Sequence, residues 1–164
     1  MSIKHLRTLS LNPYLMGKII QNFLVGYGKP ADLILIFYIL PIVLYKDSRN
    51  KLSSAVSRSS LESLFQNKGL YENNENLRLS AKVNLAGFVD RFDELKSCTK
   101  QAIIVLSHEQ KVKMGPQVSL LVSDKYDNYN GNIKPFLKAA YNLGRIFSKT
   151  TRTYIDSFLG VKAR

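Results

Sequence analysis

From Leu33 to Tyr45 the sequence holds no charged residue and is apolar throughout, with Pro41 near the end of the run. A helix that crosses a bilayer needs about 20 such residues. This run is therefore too short to span a membrane, but long enough for a few turns of buried helix. A helix that is apolar on every side has no face to offer water and must lie at the centre of a globular core. Asp32 stands where it would cap the first turn. Pro41 should kink or divide the helix, because proline removes an N–H donor and crowds the preceding turn.

The neighbouring segments have the amphipathic patterns that such a centre requires. Asn12-Pro13 reads as a helix start, an N-cap residue followed by proline at the first helical position. Leu15, Met16, Ile19, Ile20, Phe23, Leu24 and Tyr27 then follow at helical spacing, and Gly26, Gly28 and Pro30 end the element. Residues 46–58 read as a basic, serine-rich connector. Ser59 and Glu62 fit a capping box that opens a short helix with Leu61, Leu64 and Phe65 inward and Gly69 as its stop. Tyr71 to Asn76 reads as a polar loop. A longer helix over about 78–96 should turn Leu85, Phe88, Val89, Phe92 and Leu95 to the core. Thr99 should cap another helix at 100–109.

Strand character is confined to Lys111–Met114 and Gln117–Val122, which flank Gly115-Pro116 and predict a β-hairpin. Two helices close the chain, one opened by Pro135 and one ended by Gly160-Val161 in a Schellman stop. The expected fold is mainly α (α+β), a single domain over residues 1–164. Its parts are a helical N-terminal part at about 12–52, a winged-helix-like part at about 59–124 and a C-terminal helical pair at about 135–161. The winged-helix reading rests on element order, three helices and then a hairpin. It makes Lys111, Lys113 and Lys125 the candidate DNA contacts.

The chain carries 24 Lys and Arg against 12 Asp and Glu, a net +12. The excess lies at the two ends. Residues 1–31 carry +4, and residues 132–164 carry +6, from seven basic residues against Asp156 alone. Such a balance points to a polyanionic partner. Chemistry of the chain's own has little to stand on. There is no glycine-rich phosphate loop, one cysteine (Cys98), and two distant histidines (His5 and His108) with no carboxylate at ligand spacing. The reading is a non-enzymatic cytoplasmic protein with no metal or cofactor and no membrane segment.

Several segments taken together carry a resemblance. Asn12-Pro13 opens an apolar helix, and Leu40-Pro41-Ile42-Val43-Leu44-Tyr45-Lys46 runs on to Arg49 and Leu52. Ala139-Ala140-Tyr141-Asn142-Leu143-Gly144-Arg145-Ile146-Phe147-Ser148-Lys149 precedes Leu159-Gly160-Val161. This order resembles the small middle components of bacterial three-component ABC-ATPase systems, a group that includes the smallest subunit of Lamassu-type anti-phage defence complexes. Tyr45 and Phe147 keep an aromatic ring where that family has a histidine and commonly a tryptophan.

The resemblance implies a non-enzymatic adaptor that joins an SMC/Rad50-like ABC ATPase to an effector, often a nuclease, which acts when foreign DNA is sensed. Double-stranded DNA is then the expected polyanion. Gly144, Arg145, Phe147, Phe158 and Leu159 are the candidate partner-binding residues. Glycine in the apolar stripe of a helix costs about 1 kcal/mol relative to alanine, so Gly144 marks close approach by another backbone, either the chain's own or a partner's. The alternative is a free-standing winged-helix DNA-binding regulator.

Overall fold

The computed structural model describes residues 12–65 and 85–161. The expected stop at Gly69, the loop at Tyr71–Asn76 and the start of the long helix near residue 78 lie outside the described residues. Seven α-helices and a small three-stranded sheet build the described fold, mainly α with one β-hairpin as the sequence predicts. No helix among the described residues is long and apolar enough to cross a membrane.

Helix α1 (Pro13–Tyr27) begins as expected. The Tyr14 N–H donates to Asn12 Oδ1 at 2.8 Å, and Gly28 closes the helix at φ 74°. Its inner face of Met16, Ile19, Ile20, Phe23 and Leu24 is completely buried. After strand β1 (Ala31–Asp32), helix α2 (Leu33–Val43) is the central apolar helix, with Ile36, Ile39, Leu40, Ile42 and Val43 removed from solvent. Asp32 precedes it but makes no capping bond. Its carboxylate instead accepts from Gln117 Nε2 at 3.1 Å and faces Arg152 at 3.8 Å.

Pro41 lies in the last turn of α2, and the helix ends two residues later. The buried carbonyls at this end need donors. Arg91 Nε donates to Pro41 O at 2.9 Å, the Ser48 hydroxyl donates to Ile42 O, and Arg49 Nη1 donates to Val43 O and Leu44 O at 3.2 and 3.0 Å. Two of those three donors come from a segment that sequence reasoning gave as a connector. Residues Lys46–Ser53 are in fact helix α3, with only Ser48 and Leu52 buried. Helix α4 (Leu61–Phe65) follows. Its cap is Ser60 with Ser63, each side chain accepting from the other's N–H, one residue beyond the Ser59–Glu62 box.

The second correction concerns the helices expected at 78–96 and 100–109. They are one element, α5 (Phe88–His108), which runs unbroken through Thr99. Thr99 is fully buried inside it and caps nothing. Packing explains the continuity: Ala102 and Leu106 lie against α1 at Gly17, where an added Cβ would stand 3.3 Å from Leu106 Cγ. Without a turn near residue 99 there is no separate third helix to act as a recognition helix, so the described residues do not show the winged-helix order. Val89, expected inward, is 47% exposed.

Strands β2 (Val112–Lys113) and β3 (Gln117–Leu120) form the expected hairpin, paired Val112 with Leu120 and Lys113 with Ser119. The other edge of β3 pairs antiparallel with β1, Ala31 with Val118, giving the order β1-β3-β2. Two short 3-10 turns lead into α6 (Lys134–Ser148) and then α7 (Arg152–Leu159). Gly160 at φ 75° donates to Ser157 O and Val161 to Asp156 O, which is the Schellman stop.

Helices α1 and α6 cross at two glycines. A Cβ on Gly144 would fall 2.1 Å from Phe23 O, and one on Gly26 would fall 2.0 Å from Tyr141 O.

Candidate functional site

Val112 is buried, so by strand alternation Lys111 and Lys113 both project from the other side of β2. Lys111 is ion-paired with Glu109 at 3.2 Å. Lys113 is exposed and has no ion pair among the described residues. Lys125 does not lie on the hairpin strands. Its ammonium stands 4.9 Å from the ring centre of Tyr141 on α6 and 4.0 Å from the Asp127 carboxylate. The structure thus divides the three candidate lysines between the hairpin and α6.

Between them lies a polar cluster. Lys18 Nζ donates to the Tyr129 hydroxyl at 2.7 Å, and that hydroxyl donates to Asp124. The Tyr129 hydrogen bond raises the pKa of Lys18 against the opposing effect of burial.

The C-terminal candidates sit mostly inside the chain's own core. Gly144 is pressed on the backbone of α1, and Phe147 is fully buried with its ring edge-on to Phe23 at 5.8 Å. Phe158 and Leu159 are each 6% exposed. Arg145 is half-buried, its guanidinium 5.7 Å from the Tyr141 ring centre.

A feature that sequence reasoning missed is a groove of about 570 Å³ between α2, α5 and α7. Ile34 and Phe37 of α2, Val89 and Phe92 of α5 and Val161 beyond α7 give it apolar walls. Tyr38, Phe88 and Phe92 brace one side, with ring centres 5.5 to 6.1 Å apart. Lys96, Lys100 and Arg152 line it as well. Lys96 is paired with Asp93 at 3.2 Å, and Arg152 with Asp156 at 3.6 Å. Lys100 is exposed with no ion pair among the described residues.

The Tyr38 hydroxyl donates to Asp156 Oδ1 at 2.6 Å. Burial first, and then this bond, push the Tyr38 pKa well above the ordinary tyrosine value. Val89, Asp93, Lys96 and Lys100 recur at helical spacing along α5, which was the available signal. The groove's other walls come from elements remote in sequence. It combines an apolar interior with paired charges at its edge, a surface suited to holding a polypeptide segment. Among the described residues no three His, Cys, Asp or Glu side chains are grouped to hold a metal ion.

The segments that carried the resemblance have definite structural roles. Leu40–Leu52 builds the exit from α2, where the Tyr45 ring lies under the Arg91 guanidinium at 3.9 Å. Gly144 sets the α1–α6 crossing, and Gly160 and Val161 close one wall of the groove. Searches of curated proteins and of solved structures found no match. Residues 1–163, however, match the model of the family described as ABC-three component (ABC-3C) system Middle Component 3, and with that match spanning nearly the whole chain the protein belongs to this family.

Proposed function

We propose that this chain is the adaptor of its three-component system. As a middle component it is an accessory subunit that works with an ABC ATPase and a further component. In our reading it joins an SMC/Rad50-like ATPase to an effector, often a nuclease in such systems, within a cytoplasmic anti-phage defence complex. It performs no chemistry of its own and contributes basic surface to double-stranded DNA. Lys111, Lys113 and Lys125 are the candidates that the sequence offers for that contact.

The observation that supports the adaptor reading is the groove between α2, α5 and α7. The apolar interior suits a segment of the ATPase that offers apolar anchors. Lys100, the lining cation outside the Lys96–Asp93 and Arg152–Asp156 pairs, suits an acidic residue beside them. Phe158 and Leu159 support this seat from within, because they pack α7 onto the core.

Val89 is 47% exposed and Lys100 is exposed, so both can be changed without opening the core. The variant Val89→Glu with Lys100→Glu should lose co-purification with the co-expressed ATPase while its thermal unfolding stays unchanged. Undiminished co-purification would place the ATPase contact elsewhere.

A further inference from the structure

The six ion pairs among the described residues engage Lys18, Lys96, Lys111, Lys125 and Arg152. Helix α6 and its C-cap carry Lys134, Lys138, Arg145 and Lys149, and none of these has an acidic partner among the described residues. The steps between them, four, seven and four residues, return each time to nearly the same side of a 3.6-residue helix. Tyr141 stands in the middle of this side. The opposite face, with Leu137, Ala140, Leu143, Gly144 and Phe147, is buried. The sequence holds no acidic residue from Asn128 to Ile155.

Further cations join this face from elsewhere. Lys125 lies over the Tyr141 ring from one direction and Arg145 lies near it from another. Lys29 Nζ donates to Ser148 O at 3.3 Å, at the helix C-terminus. Arg145 Nε is buried without a hydrogen-bond partner.

We infer that the outer face of α6, with Lys125, Lys134, Lys138, Arg145 and Lys149, binds the phosphate backbone of double-stranded DNA. At 1.5 Å per residue the stripe is about 22 Å long, and a duplex presents on the order of a dozen phosphate charges over that length. The cations are regularly spaced and mostly lysine, which are point charges that bind phosphate without reading base edges. Asn142, the one amide on this helix, is buried and donates to Leu52 O at 2.8 Å, so it is not available to a base. Binding is therefore independent of sequence. An acidic protein partner is less well matched, because protein interfaces centre on apolar and aromatic anchors and are poor in lysine, and this stripe has only a half-buried tyrosine.

The inference rests on the reading that the system contacts DNA, and it moves that contact from the hairpin to α6. The test is fluorescence anisotropy with a labelled 30-base-pair duplex over a salt series, using the chain in its co-purified complex. Three forms are compared: the unaltered chain, Lys134→Gln with Lys138→Gln and Lys149→Gln, and Lys111→Gln with Lys113→Gln.

The α6 variant should bind at least tenfold more weakly at 0.1 M salt. Its log K against log salt slope should be shallower by about 2.7, about 0.9 per lost phosphate contact. The hairpin variant should change less than twofold. Lys149→Gln alone, at an exposed position whose ammonium also donates to Ser57 O at 2.7 Å, should show about a third of the slope change. An unchanged thermal unfolding curve for it and for the triple variant separates lost phosphate contact from misfolding.

Equal affinity of the α6 variant and the unaltered chain overturns the inference, as does a larger loss from the hairpin variant. If the α6 variant keeps its DNA affinity but leaves the complex, the stripe is a protein interface and the inference is wrong. If the unaltered complex binds no DNA at all, the broader DNA reading fails with it.

Discussion

Arg49 is half-buried, with its guanidinium over the Phe136 ring at 4.1 Å and one nitrogen shared between Val43 O and Leu44 O. Burial lowers its pKa, yet a guanidinium stays charged at any ordinary pH. Lysine in its place keeps the charge but loses the planar stack and the fixed donor. Arg49→Lys should therefore cost about 1–2 kcal/mol in a urea unfolding curve.

Tyr38 gives a pH prediction with a definite sign. Its pKa is raised in the fold, so the folded state holds the proton more tightly than the unfolded chain. The contribution is complete below the ordinary tyrosine value of 10.0 and is lost as pH rises from there toward the raised value. Urea midpoints measured across pH 8.5 to 12 should fall less steeply above pH 10 for Tyr38→Phe than for the unaltered chain. Parallel curves would show that the fold does not raise the Tyr38 pKa.

The α1–α6 crossing is the element contact most sensitive to substitution. Gly144→Ala and Gly26→Ala should each cost about 3 kcal/mol, because the added methyl meets backbone that cannot rotate away. The two costs should not add. Once the helices have moved apart for one methyl, the second finds room, so the double variant should lose less than the sum of the singles in equilibrium unfolding. Both ends of this contact show what sequence can reveal. Asn12-Pro13, the α1 stripe, Gly144 and the Gly160-Val161 stop are local signals, and each appears where expected.

Helix α3 was not legible, because its sequence is polar and it is held by the carbonyls left open where α2 ends. The break expected at Thr99 rests on reading that residue as an N-cap, whereas packing against Gly17 keeps α5 continuous and buries Thr99 inside it. Strand β1 is only two residues long and exists because β3 offers it an edge. The groove needed three elements to be placed before its walls could be recognised.

For the molecule as a whole, the net +12 is the property that most affects behaviour in solution. The purified chain should neither hydrolyse ATP nor cut DNA. Either activity, if it disappears on changing one of this chain's own residues, would contradict the adaptor reading.

The α1–α6 crossing also bears on synthesis. Phe23 belongs to the first of the described helices, while its ring partner Phe147 belongs to one of the last. At 5–20 residues per second, roughly ten seconds separate their emergence from the ribosome. During that interval α2 and α5 can already pack on α1, but the part of its face around Phe23 and Gly26 still waits for α6. The yield of soluble protein should therefore respond to whether its neighbours in the complex are translated alongside it.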